Sequence, residues 1–192
     1  MKNIILASKS PRRIEMLGKY INNIIIYSPD TEEKVNENDK PQTTVMKLAL
    51  EKALTVLEDC QEKGLIIAAD TIVYLDKIMG KPKDYNEAFE MLKSLSGKTH
   101  SVFTGVCIID NTTGKKVVDY EETIVKFNDL SDDFIKKYLD TDEYTDKAGA
   151  YGIQGYGELL VKGINGCYNN VKGLPLTKLN TLLTKHFSEN LL

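Results

Sequence analysis

Two periods of hydrophobic spacing take turns along this chain of 192 residues. A short apolar run, Asn3 to Ser8, reads as a strand, and a helix follows at once from Pro11 to about Tyr20. "NNIIIYSP" reads as a second strand and "DTEEKVNENDKP" as an acidic loop. From Thr44 to about Glu58, Val45, Leu48, Ala49, Ala53, Val56 and Leu57 keep helical spacing. "LIIAADTIVYLD" is a buried strand that runs into an acid. Asp84, with Glu87 three residues on, makes a capping-box variant. Ala88, Met91, Leu92 and Leu95 then form an apolar stripe that Gly97 ends. "HSVFTGVCIID", the turn "NTTG" and "KKVVDYEETIVKF" predict a β-hairpin. A helix follows from Ser131 to Leu139, and then the Gly/Tyr-rich "DKAGAYGIQGYG". "ELLVKGINGCYNNV" reads as a further hairpin turning at Asn165-Gly166, and "LPLTKLNTLLTKHF" as an amphipathic closing helix. βαβ-like units mixed with hairpins predict an α/β fold with a mixed sheet. With no repeat or clear linker, this length suits a single domain over residues 1–192.

The charges within this pattern are unevenly chosen. Of 25 basic residues only two are arginines, Arg12 and Arg13, and they sit side by side where the first helix begins. Ser10 suits the N-cap and Pro11 the first helical position, which puts both arginines in the first turn. A helix start carries about half a positive charge, so cations there cost about 0.3–1 kcal/mol each. A multiply charged anion reverses that cost. Backbone N–H groups, the dipole and two guanidinium forks would all serve it. Ser8 and Ser10 could add hydroxyl donors. The stretch therefore reads as a phosphate site.

Five apolar residues run into Asp70, a placement that is expensive unless the acid is paired or emerges at a strand end. The carboxyl ends of parallel strands line the usual site of α/β sheets, so Asp70 is a candidate metal ligand or general base. Thr71 points to the opposite face if the strand continues regularly. Lys52 lies on the apolar stripe of its helix, where it either snorkels outward or reaches inward to an anion. "GKPKD" places Lys81 in a tight turn, and Glu32 and Glu33 belong to the acidic loop. Four glycines between Gly149 and Gly157 let a backbone approach a ligand, and Gln154 among them can offer a donor and an acceptor to a base edge. Together these residues suit a nucleoside polyphosphate with a divalent cation, since Mg²⁺ takes few carboxylates plus phosphate oxygens. Neither a Walker A lysine motif nor a GxGxxG opening a βαβ unit is present.

Composition narrows the class further. The net charge of −3 argues against a broad nucleic-acid surface, and no apolar run approaches the 18 or so residues of a membrane span. The start has no signal-type apolar region, and Cys60, Cys107 and Cys167 have no metal spacing. Free thiols and a cytoplasmic location are the expectation. His100 and His186 are too few for a histidine metal site or a triad without other support.

Six blocks carry a family resemblance: "LASKSPRRIEML" at 6–17, "AADTIV" at 68–73, "GKPKD" at 80–84, "AFEMLKSLSGKTHSVFTGV" at 88–106, "DKAGAYGIQGYG" at 146–157 and "INGCYNNVKGLPL" at 164–176. In order, and over nearly the whole chain, they resemble the Maf family of nucleoside triphosphate pyrophosphatases. The resemblance implies a Maf/ITPase-like fold, with a twisted mixed sheet flanked by helices and a central cleft. It implies hydrolysis of a nucleoside triphosphate to the monophosphate and pyrophosphate with a divalent cation, Mg²⁺ or Mn²⁺. It makes Asp70 the proton acceptor. Arg12, Thr71 and Gln154 fall on positions that separate substrate branches, and at all three the chain looks like the branch acting on dTTP and UTP. Ser8, Arg13, Lys52 and Lys81 match further polar residues of the family cleft, as does Glu33, which would join Asp70 on the cation. House-cleaning of the nucleotide pool, with modified pyrimidine nucleotides included, is the implied role, and a homodimer is left open. The rival from another class is a nucleotide-sensing regulator of cell division, acting at the septum without turnover. A sensor needs the cations but no base, so Asp70 beside both arginines favours the enzyme.

Overall fold

The computed structural model describes residues 2–29 and 39–192. In chain order the elements are β1 (Ile4–Ala7), α1 (Pro11–Gly18), β2 (Ile24–Tyr27), α2 (Pro41–Asp59), β3 (Leu65–Tyr74), β4 (Ile78–Met79) and α3 (Tyr85–Leu95). Then come β5 (Thr99–Asp110), β6 (Lys116–Phe127), α4 (Asp132–Leu139), β7 (Val161–Asn165), α5 (Tyr168–Val171) and α6 (Leu176–Phe187). Seven strands form a mixed sheet in the order β2-β1-β3-β5-β6-β7, with β4 paired to β3. β1 runs parallel to β2 and β3, while β3–β4 and β6–β7 are antiparallel. This is the α/β class with a mixed sheet that the order of elements predicts. None of the described helices is long and apolar enough to cross a membrane.

The chain divides into two compact units. The first holds residues 1–70, 104–121 and 173–192. Here period-two alternation sorts each strand onto two apolar layers. Ile4 and Leu6 of β1, Leu65, Ile67 and Ala69 of β3, and Val106 and Ile108 of β5 pack with α1 and α6. The intervening residues, Ile5, Ala7, Ile66, Ala68, Cys107 and Ile109, pack with Ala49, Ala53 and Val56 of α2. Small residues on α2 let it approach closely. At Gly105 of β5, a Cβ would lie 2.1 Å from the Val45 carbonyl oxygen, so any side chain there would drive helix and strand apart. Burying each large aliphatic chain contributes about 1.5–3 kcal/mol, which is why strand parity fixes the register here.

The second unit holds residues 71–103 and 122–172. Its core joins Ala88, Leu92 and Leu95 of α3 to Ile135, Tyr138 and Leu139 of α4, over Val102, Val125 and Phe127 of the strands. Both helices start as their sequences direct. Asp84 accepts from the Glu87 N–H at 2.8 Å, and the Glu87 carboxylate reaches back to the Lys83 N–H at 2.6 Å. Ser131 accepts from the Phe134 N–H at 3.2 Å, with Asp132 and Asp133 in the first turn.

β3, Leu65 to Tyr74, is the strand that the apolar run predicts, and Asp70 lies four residues before its end. Two local expectations are corrected. α2 begins at Pro41 rather than Thr44, because proline suits the first helical turn and outweighs the later start of the apolar stripe. No hairpin forms at Asn165-Gly166, since β7 ends there and the short α5 follows. The Cys167 N–H donates to Thr123 Oγ1 at 3.0 Å. The buried Asn170 amide donates to the Val102 carbonyl at 3.0 Å and to Thr123 Oγ1 at 2.9 Å. These long-range bonds direct the chain into a helical turn against the local preference for a hairpin.

Candidate functional site

In the first unit, the candidates gather at one end of a parallel ladder. β1 and β3 pair from Ile4–Leu65 to Ala7–Ala68, and the ladder stops there. Ser8 is the residue that follows β1, and Asp70 lies two beyond the last pair on β3. Asp70 is thus mid-strand, yet just past the carboxyl end of the parallel part, where α/β sheets keep their sites. Ser8 is buried, and its Oγ accepts from the Ser10 N–H at 3.1 Å.

α1 opens directly after this point. Ser10 occupies the N-cap with an extended backbone, and Pro11 follows, as the sequence predicts. The Ser10 side chain makes no capping hydrogen bond, and the first turn contains no acid. Arg12 and Arg13 are both half-buried. Arg13 Nε donates to the Gly173 carbonyl at 2.7 Å, which fixes its stem against the chain before α6.

Asp70 shares parity with Ile66 and Ala68, so its side chain faces α2. Lys52 meets it there in an ion pair, with side-chain exposures of 13% for Lys52 and 6% for Asp70. Of the two fates open to a lysine on an apolar stripe, Lys52 takes the inward one, and the anion it reaches is the protein's own. The pairing also explains how an acid sits inside a buried strand: an unpaired charge there would cost several kcal/mol, on the order set by desolvation.

The second unit carries three candidates. Thr71 is half-buried and follows Asp70 with opposite strand parity, so the two do not share a face. Lys81 is exposed in the turn after β4. Gln154 is half-buried and caps the start of a short 3₁₀ helix at Gly155–Leu160. The Gly149 N–H donates to the Gly80 carbonyl at 3.0 Å, tying the glycine-rich segment to the turn that bears Lys81. Gly149 has φ +66°, and a Cβ there would lie 2.8 Å from Val73 Cγ2, so glycine is required twice over.

Three residues near Gln154 were not singled out by the sequence. His100, only 3% exposed, meets the Tyr151 hydroxyl through Nε2 at 2.7 Å. Burial pushes its pKa down from 6.5 to about 4, so the ring is neutral at neutral pH. Glu143 Oε1 accepts from the Tyr156 N–H at 3.3 Å. Lys147 pairs with Asp146 at 2.9 Å and donates to the Glu143 carbonyl. A lone histidine opening a strand, and a glutamate in a polar loop, carry no periodic or motif signal that would mark them.

Glu33 lies outside the described residues. Among the described residues, no three His, Cys, Asp or Glu side chains gather as a metal site. Asp70 alone fits what Mg²⁺ or Mn²⁺ asks of a protein when phosphate oxygens supply most ligands, namely one or two carboxylates.

Comparison with known proteins follows the same line. A dTTP/UTP pyrophosphatase of Alkaliphilus oremlandii (strain OhILAs) is 49% identical over 192 residues, covering 100% of both chains. One from Clostridioides difficile (strain 630) is 50% identical, covering 98% of this chain and 97% of its own. Among solved structures, the Staphylococcus aureus Ham1 protein has a TM-score of 0.48 at 14% identity, covering 81% of this chain and 78% of that one, too distant to bear on function. The model of the family described as Maf-like protein matches residues 3–186, so this chain belongs to the Maf-like family.

Proposed function

We propose that the protein hydrolyses dTTP and UTP to the nucleoside monophosphate and pyrophosphate. Identity of 49% and 50% over nearly the full length of relatives named dTTP/UTP pyrophosphatases supports this reading. The observation that carries it is the arrangement at the ladder end, with an acid-free, arginine-bearing helix start following β1 and a buried carboxylate on the adjacent strand.

In this mechanism Arg12 and Arg13 grip the triphosphate with planar forks, and Ser8 lies at the same strand end to donate its hydroxyl. Lys81 adds positive charge toward the leaving pyrophosphate. Lys52 orients the Asp70 carboxylate through their ion pair. Asp70 accepts the proton of a water that attacks the α-phosphorus, and pyrophosphate departs. A divalent cation held by Asp70, with Glu33 as second carboxylate, would neutralise charge on the phosphate oxygens. Gln154 reads the pyrimidine edge, and Thr71 contributes to the same selection.

Pyrophosphate release from dTTP and UTP with Mn²⁺, by wild type and by Asp70→Asn, tests the reading. Wild type is expected to release pyrophosphate and monophosphate in equal amounts, and Asp70→Asn to be slower by about 10²–10⁴-fold. If neither protein releases pyrophosphate while both bind dTTP, the sensing regulator replaces the enzyme.

A further inference from the structure

A side-chain amide can turn over, exchanging its donor for its acceptor at little cost. Left loose, Gln154 would meet a carbonyl or an amino group on a base equally well. Discrimination between bases therefore needs the amide delivered to one place against the base edge, and that depends on what holds the segment that presents it.

That segment is unusual in its backbone. Gly149, Ala150 and Gly155 all have positive φ, at 66°, 61° and 64°, and Ala150 is fully buried. A non-glycine residue in this region persists only where its surroundings over-determine it. Two anchors do so, one on each side of Gln154. On the N-terminal side, the Tyr151 hydroxyl is bonded to His100 Nε2, and Phe127 packs edge-on against both rings, with centroids 4.9 and 4.7 Å away. On the C-terminal side, Glu143 Oε1 takes the Tyr156 N–H, and its carboxylate lies where a Cβ on Gly155 would come within 2.3 Å. Gln154 sits three residues after the first anchor and two before the second.

Neither anchor is what packing alone would select. His100 Nδ1 and Glu143 Oε2 are buried and have no hydrogen-bond partner among the described residues. Phenylalanine at 100 would remove the orphaned Nδ1 but strip the buried Tyr151 hydroxyl of its bond, and an aliphatic residue at 143 would release the Tyr156 N–H, so each residue is kept for the bond it makes. A polar group kept at that cost serves geometry.

We propose that His100 and Glu143 are positioning residues for base discrimination, acting through Tyr151 and the Tyr156 N–H to hold the backbone that presents Gln154 in one conformation. This rests on Gln154 reading the base. The test compares His100→Phe, Tyr151→Phe, Glu143→Gln and Gln154→Ala with wild type. It measures kcat and KM for dTTP and dCTP, and inhibition by inorganic tripolyphosphate. The dTTP/dCTP ratio of kcat/KM is expected to fall about tenfold in each variant, the worth of one well-placed hydrogen bond. In the three anchor variants the change should lie in KM, with kcat for dTTP within about threefold and tripolyphosphate inhibition unchanged, because the phosphates are held elsewhere. Tyr151→Phe removes a single oxygen atom and keeps the core filled should His100→Phe fail to fold. If Gln154→Ala lowers the ratio and the anchor variants do not, the inference is overturned while base reading stands. If Gln154→Ala leaves the ratio unchanged, both fall. Equal losses on both nucleotides, with weakened tripolyphosphate inhibition, would show a merely structural role and overturn it too.

Discussion

The starts of α1 and α4 treat the same electrostatic problem in opposite ways. α4 satisfies itself: Ser131 caps Phe134, Asp132 and Asp133 meet the positive end of the dipole, and Lys136 and Lys137 meet the negative end. α1 has a serine at the N-cap that makes no side-chain cap, no acid in its first turn, and two arginines where acids belong. The buried polar pairs differ in the same sense. Lys52 and Asp70 in the first unit are an ion pair, whereas His100 and Tyr151 in the second are neutral partners. At the start of α4 the polar groups complete one another. At the start of α1 the two arginines oppose the helix dipole, a placement that a bound polyanion would turn favourable.

The comparison can be broken by giving α1 the character of α4. Arg12→Glu supplies the acid that a helix start favours, so stability should move by no more than about 1 kcal/mol in urea unfolding. Turnover of dTTP should nevertheless fall on the order of 10³-fold, through loss of charge-assisted bonds and gain of repulsion. Retained turnover would remove the phosphate site from α1.

The neutral pair sharpens the contrast through pH. The folded pKa of His100, about 4, lies below its ordinary 6.5. Between those values the unfolded chain binds a proton that the native state does not, so stability falls as pH falls through this window. The slope from this group is about 1.4 kcal/mol per pH unit, and it ends near pH 4. His100→Phe should lack that component of the slope in chemical denaturation from pH 7 to pH 4. An unaltered slope would show that the ring is not held neutral.

The smallest effects concern the caps. Ser131→Ala should cost about 1 kcal/mol, while Ser10→Ala should cost less than about 0.5 kcal/mol, since only the first makes a capping bond. Equal costs would erase the difference between the two helix starts.

What was legible in the sequence was local. Pro11 after Ser10, Asp84 with Glu87, and Ser131 before two acids mark helix starts within four residues, and all three form where expected. The apolar alternation of β3 also gives away which face Asp70 shares with Ile66 and Ala68. The partner on that face was not legible, because Lys52 is reached only once α2 packs on the sheet. Asn165-Gly166 misled for the converse reason, as a strong local turn signal lost to Thr123 and Asn170, which are distant in sequence from one another. His100 and Glu143 matter through Tyr151 and Tyr156, contacts that span 51 and 13 residues and leave no periodic trace.

The claim that a triphosphate completes the start of α1 is tested most directly by kcat/KM for dTTP in Arg12→Lys beside wild type. The charge stays and only the planar fork is lost, so a fall of about 10- to 100-fold with unchanged stability is predicted. An Arg12→Lys enzyme as fast as wild type would contradict it.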